Sequence, residues 1–185
     1  MSCANNQLGP DIKEIQKRVA YISIGPSTLR NQGAKGVAEA AQHYLMAVDL
    51  SYVSKISSQK DYLKWLNRMT NELKEQFPSK ARGNWGAARK AINVFLEEAF
   101  YNKYLNAEYG IDKIGAFLEL PVDSYVISNM KNEFGSTKRM PKWTSIRCLK
   151  EEDNEVYQRL ALEVADREGI LRVFLDLKWW RSLHV

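Results

Sequence analysis

The sequence predicts a mostly α protein, one compact domain of six to eight helices over residues 1–185. Three observations carry that expectation. Apolar residues recur at spacings of three and four through most of the chain. Glycine, proline and small polar residues break that periodicity at intervals suited to helix ends and loops. The composition, 45% hydrophobic and 26% charged, suffices for a core and argues against disorder.

The elements follow in chain order. Residues 1–10 read as a flexible arm without the apolar core of a signal peptide. Ile12, Ile15, Val19 and Ile22 mark a first helix over 11–22. The polar run GPSTLRNQGAKG (25–36) is bounded by glycines and reads as a loop. Val37, Ala41, Tyr44, Leu45, Val48 and Tyr52 predict one amphipathic helix over 37–53. Tyr62, Leu63, Leu66, Met69, Leu73 and Phe77 predict another over 59–77, with Pro78 at its exit. SKARGNWG (79–86) reads as a basic turn, and Ile92, Phe95, Leu96, Ala99 and Phe100 form the inner face of a helix over 87–105. Residues 106–117 read as a mixed linker. Pro121 sets up a turn, and Asp123 or Ser124 is a suitable N-cap for a helix running through Phe134. GSTKRMPKW (135–143) is a basic loop. Val156, Leu160 and Val164 lie on a helix over 150–168 that stops at Gly169. The tail ILRVFLDLKWW fits a helical face or a strand.

Several function classes are excluded or disfavoured. No apolar run reaches the ~20 residues of a membrane span. GxxxxGK[ST], GxGxxG and GxSxG are all absent, which argues against a nucleotide cofactor or a serine-hydrolase elbow. Cys3 and Cys148 form no CxxC pair, and His43 and His184 are far apart in sequence. Neither a metal centre nor any other cofactor is expected, and a reducing cytoplasm fits the cysteine usage. The net charge of +5 permits a polyanionic partner.

Two stretches carry the chemistry. In the first, Trp85-Gly86-Ala87-Ala88-Arg89-Lys90 turns into a helix continuing Ala91-Ile92-Asn93-Val94. In the second, Pro121-Val122-Asp123-Ser124-Tyr125-Val126 turns into the next helix. Their order resembles the helix-hairpin-helix DNA glycosylases, of the endonuclease III and 8-oxoguanine glycosylase type. In that superfamily a hairpin of the form LPGVGxK precedes an apolar helix, and a VDTHV segment supplies a catalytic aspartate. The resemblance covers about 50 residues within 79–134. Ala88 stands where the second hairpin glycine belongs, Tyr125 replaces the usual histidine, and the link between the motifs is longer. These departures point to a specialised substrate.

The resemblance implies an enzyme, a monomeric DNA N-glycosylase with Schiff-base lyase activity on double-stranded DNA. Its setting would be base-excision repair or defence against modified foreign DNA. Asp123 would stabilise the sugar cation that forms as the base leaves. The amine of Lys90 would attack the anomeric carbon and form an imine. Gly86, Ala87 and Ala88 would present amides to phosphate, with Arg82 and Arg89 beside them. The target base must be flipped out. Arg30, Asn31 and Gln32 offer side chains to fill the gap or read the base, and Trp85, Trp143, Trp179 and Trp180 offer rings to stack on it. Each residue also has a plainer explanation. Asp123 serves as a helix cap, Lys90 as a solvated or phosphate-binding lysine, and the tryptophans as packing. The alternative function is a non-catalytic helical protein that uses the hairpin only to grip phosphate.

Overall fold

A computed structural model describes residues 10–135 and 140–181. The expected flexible arm up to residue 9, with Cys3, lies outside the described residues, as do Lys138, Arg139 and His184. Among the described residues there are eight α-helices and three short 3-10 turns, and no strand. The mostly α expectation therefore holds.

α1 (Ile12–Ser23) starts at Asp11, whose carboxylate accepts the Lys13 amide at 2.8 Å. Its buried face carries Gln16, Val19 and Ala20. α2 (Val37–Ala47) is shorter than the helix expected over 37–53, and a 3-10 turn, Leu50–Lys55, follows it. Two side chains end α2 early. The Gln16 amide donates to the carbonyls of Leu45 (3.1 Å) and Val48 (2.7 Å). Asp49 accepts the Ser51 amide at 3.0 Å and starts the turn. Side chains here offer the backbone a better partner than another helical turn would.

α3 (Gln59–Gln76) opens on a reciprocal cap. Ser58 Oγ accepts the Asp61 amide at 3.2 Å and donates to the Asp61 carboxylate at 2.7 Å. It closes before Pro78, which disfavours a helical Phe77. α4 (Trp85–Tyr101) begins two residues earlier than expected, because Asn84 Oδ1 accepts the Ala87 amide at 3.0 Å. It also ends earlier. Asn102 accepts the amides of Tyr104 and Leu105, each at 3.1 Å, and starts a separate helix, α5 (Lys103–Tyr109). The expected linker thus contains the second half of α5 and a 3-10 turn at Ile111–Ile114.

α6 (Ser124–Phe134) has Asp123 as its N-cap, as expected. A third 3-10 turn, Ile146–Cys148, precedes α7 (Glu151–Glu168), which stops at Gly169 in the left-handed conformation. The ambiguous tail is helical, as α8 (Phe174–Arg181). Its apolar residues serve two neighbours at once, which a single strand face would not do.

The buried apolar side chains form two clusters. One joins α1 to α5, with α4 at its centre through Ala87, Ala91, Ile92, Phe95, Leu96 and Ala99. The other joins α6, α7 and α8 through Val126, Ile127, Met130, Tyr157, Val164 and Trp179. The non-helical segment Leu118–Val122 runs from the first cluster to the second and is buried throughout. Its backbone needs partners, and side chains supply them. The Arg172 guanidinium donates to the carbonyls of Phe117 (2.8 Å) and Leu118 (3.0 Å). Gln158 accepts the Leu120 amide at 2.9 Å and donates to its carbonyl at 2.7 Å. The segment that leads to Asp123 is thereby fixed on both edges.

Candidate active site

Asp123 follows this clamped segment. Its backbone is extended, and its Oδ1 accepts the amides of Tyr125 (2.9 Å) and Val126 (3.0 Å). The other oxygen faces α4. Lys90, in the second turn of α4, is 8% exposed, and its Nζ donates to Asp123 Oδ2 at 2.9 Å. Asp123 is therefore both a cap and an ion-pair partner. The pair bridges the two apolar clusters, because α4 belongs to one and α6 to the other.

More acids lie nearby. Asp176 of α8 is within electrostatic reach of both Asp123 and Lys90. Burial pushes its carboxyl up to about 6, the Asp123 charge adds to the rise, and Lys90 opposes it. Glu97 lies two turns beyond Lys90 on the same face of α4. Burial pushes its carboxyl up to about 9, with the charges of Asp176 and Glu98 adding to the rise. A Tyr101 hydroxyl donated at 3.3 Å acts in the opposite direction. Glu97 is thus uncharged at neutral pH. Burial also raises Glu98. The seven-residue interval from Lys90 to Glu97 was a readable sign that the two share a face. The place of Asp176 depends on how α8 docks, which no local pattern encodes.

A cavity of about 270 Å³ opens beside Ser124, the residue after Asp123. Arg30, Asn31, Gln32, Trp143 and Arg147 also line it. The expected gap-filling loop therefore does meet the aspartate segment. Asn31 has φ 62°, in the left-handed region that non-glycine residues rarely adopt. Arg30 and Asn31 are exposed, whereas Gln32 is buried. Gln32 Nε2 donates to the Arg30 carbonyl at 2.8 Å, and its Oε1 accepts from Asn84 at 3.2 Å. Gln32 shapes its own loop and ties it to the residue that starts α4. The expectation that it reads a base does not fit this bonding.

The hairpin residues need a larger correction. Gly86, Ala87, Ala88 and Arg89 are all buried. The Ala87 amide is taken by Asn84 Oδ1, and the Ala88 amide donates to the Asn84 carbonyl at 3.2 Å. A Cβ on Gly86 would lie 2.0 Å from the Ile146 carbonyl oxygen and 2.9 Å from Leu149 Cβ. The turn at 146–149 thus covers this helix start, and Gly86 permits close backbone approach where phosphate access was expected. Arg89 points inward. Its guanidinium donates to Thr70 at 3.2 Å and to Asn67, lies 3.5 Å from Glu119, and stands over the Trp85 ring at 4.7 Å. Glu119 also accepts from Asn93 and Asn154, each at 3.1 Å. Trp85 is half-buried between this guanidinium and the second cluster, so it packs the interior. Lys103 lies over the Tyr104 ring.

Arg82 is exposed, as a phosphate contact must be. Arg147 joins it, a residue that the sequence reading did not single out. Its Nη1 would be 3.1 Å from a Cβ on Gly33, and the Lys80 carbonyl would be 3.4 Å from the same point. The loops at 30–32 and 143–147 therefore bring two exposed cations, Arg30 and Arg147, to the rim of the cavity, and the backbone of Lys80 lies against the first of them at Gly33. Trp143 sits edge-on to Tyr157, 6.1 Å between centroids, and lines the cavity wall. Trp179 is buried.

The chain matches no protein-family model, no curated protein and no solved structure. Among the described residues, no group of three or more His, Cys, Asp or Glu is placed to hold a metal ion. No helix among them is long and apolar enough to cross a membrane.

Proposed function

We propose that the chain is a DNA glycosylase with an imine-forming lyase step, acting as a monomer on double-stranded DNA in the cytoplasm. The observation that carries this reading is the 2.9 Å contact between Lys90 Nζ and Asp123 Oδ2, beside a cavity rimmed by arginines. A buried amine next to a carboxylate, one residue along the chain from a cavity-lining serine, suits attack on a sugar. The cavity is of the scale of a nucleobase. A flipped nucleotide would bring its anomeric carbon between the two groups. The Asp123 charge, held in a half-buried position, would offset the developing sugar cation. The neutral Lys90 amine would bond to the anomeric carbon as the base leaves. The imine that follows would acidify the neighbouring sugar carbon, and elimination of the 3′ phosphate would nick the strand. Arg30, Arg82 and Arg147 would hold the phosphates. Removal of damaged bases in repair and attack on modified foreign DNA use the same chemistry, and the departures at Ala88 and Tyr125 favour a specialised base in either setting.

The alternative, a protein that only grips phosphate through its hairpin, gains no support from this geometry. The amides it needs are capped by Asn84 and covered by the Ile146 turn.

The test is borohydride trapping with a duplex carrying one abasic site. The wild-type protein is expected to give a covalent protein–DNA band that Lys90→Gln abolishes. Asp123→Asn separates the two roles of that residue. Asparagine caps a helix about as well as aspartate, so the start of α6 should survive, and the stability lost, roughly 1–3 kcal/mol, should come from Lys90 losing its counter-charge. Activity should fall by at least about a hundredfold, because the charge is gone. No wild-type band, and no alkali-sensitive cleavage across a panel of modified bases, would overturn the reading.

A further inference from the structure

The segment that leads to Asp123 also borders a second cavity, of about 320 Å³, between the start of α3 and the middle of α7. The two helices are joined by the Asn67 amide, which donates to Glu151 at 2.6 Å. Leu63 stands one turn before Asn67, and Leu162 stands three turns after Glu151, so both face the same seam. With Ala116 they form the apolar walls of the cavity. Leu162 is 41% exposed, an apolar side chain left open beside this space.

The floor is polar. Glu119 and Arg172 both line the cavity, and they are 4% and 6% exposed. The two oxygens of Glu119 are used unequally. Oε2 accepts from Asn93 and Asn154 and lies 3.5 Å from Arg89 Nε. Oε1 has no hydrogen-bond partner among the described residues, and it is not one of the polar atoms sealed in the interior. Arg172 donates one N–H from each nitrogen, to the carbonyls of Leu118, Gln158 and Phe117. A guanidinium carries a further N–H on each η nitrogen. The floor therefore offers an acceptor and donors beneath aliphatic walls.

We propose that this cavity binds a small neutral molecule with an apolar body and an amide head, and that its occupancy steadies the segment presenting Asp123. The amide N–H donates to Glu119 Oε1, its carbonyl accepts from Arg172, and the body lies between Leu63 and Leu162. A neutral head suits the floor, because a carboxylate would meet the like charge of Glu119 and an ammonium that of Arg172. Glu119 belongs to the segment itself. Arg172 holds the carbonyls of Phe117 and Leu118, and Gln158 holds both polar backbone groups of Leu120. A molecule bonded to Glu119 and Arg172 ties this clamp together and is released when the segment opens. Binding thus favours the closed segment by mass action.

The probe is benzamide, a phenyl body with one amide head. A proton–nitrogen NMR titration is expected to shift the amides of Leu63, Ala116 and Leu162 saturably, with a Kd of about 1 mM or tighter. Toluene, the body without the head, and benzoate, the body with a charged head, should each bind at least about tenfold more weakly. Leu162→Trp places an indole in the cavity from an exposed position. It should abolish the shifts and leave the rest of the spectrum as it was. Hydrogen exchange reads the coupling. At about ten times Kd, protection of the Leu120, Tyr125 and Val126 amides should rise about tenfold, while that of Ile15 in α1 stays unchanged. No saturable shift with benzamide overturns the proposal, and so do shifts that survive Leu162→Trp. Toluene or benzoate binding as tightly as benzamide overturns the amide head. Unchanged protection at Leu120 overturns the effect on the Asp123 segment. None of these readouts uses DNA or Lys90, so the inference stands or falls apart from the glycosylase reading.

Discussion

Glu97 shows what a buried acid costs on the helix face that carries Lys90. Its side chain is confined to the face of α4 that carries Lys90, and burial holds its carboxyl up at about 9. A raised acid is a liability to the fold. Above the usual carboxylate range of about 4.5, the unfolded chain releases the proton and the native chain keeps it. The native state then binds more protons, so stability falls as pH rises from about 4.5 towards about 9. Glu97→Gln is uncharged in both states and removes this penalty. The variant is expected to be more stable than the wild type by roughly 1–3 kcal/mol at pH 8, and equal to it near pH 4. Urea unfolding at both pH values checks this, and a pH-independent difference would count against it. Lys90 and Asp123 were legible in the sequence because both sit at fixed places in a turn-and-helix pattern. The raised carboxyls of Glu97 and Asp176 were not, because desolvation is set by neighbours distant in sequence.

At the scale of the element, α4 and its cover decide whether the site exists. The hydrophobic periodicity placed the body of α4 correctly, since an inner face of Ile92, Phe95, Leu96 and Ala99 admits one orientation. Its ends were misjudged because asparagines set them. Asn84 and Asn102 each trade a side-chain oxygen for backbone amides, and such caps can begin or end a helix without altering the apolar pattern. The early end of α2 has the same origin in Gln16 and Asp49. Gly86 illustrates a second limit. A glycine at a helix start suggests exposed amides, but this one lies under the Ile146 carbonyl. The two explanations give opposite outcomes for Gly86→Ala. An alanine at a phosphate-binding turn would be tolerated by the fold. Here its Cβ would meet backbone at 2.0 Å, so the turn at 146–149 must move. The expected loss is about 2–4 kcal/mol in urea unfolding, with weaker DNA binding as the cavity wall shifts. A loss below about 0.5 kcal/mol would show that nothing covers Gly86 in solution.

For the whole molecule, the proposed function depends on how two loops and two apolar clusters meet. The +5 net charge hinted at a polyanion but could not locate it. The fold offers a candidate place, because Arg30 and Arg147 line one cavity although over a hundred residues separate them. A sequence pattern reports neighbours along the chain, so Arg30 and Arg82 could be nominated while Arg147 went unnoticed. The rim gives a prediction that separates grip from chemistry. Each arginine that neutralises one phosphate should contribute about 0.9 to the slope of log affinity against log salt. Arg147→Ala and Arg30→Ala should each reduce the slope by about one, weakening binding of every duplex sequence alike. Lys17→Ala is the control, because that side chain is exposed, pairs with Glu14 at 2.6 Å and belongs to α1, away from the rim. Fluorescence anisotropy from 50 to 300 mM salt measures the slopes. Trapping at saturating protein should remain intact in both arginine variants, since neither group touches Lys90. Equal slopes for Arg147→Ala and Lys17→Ala would mean that DNA approaches from another face, and the cavity beside Ser124 would lose its assignment as the nucleotide's entrance.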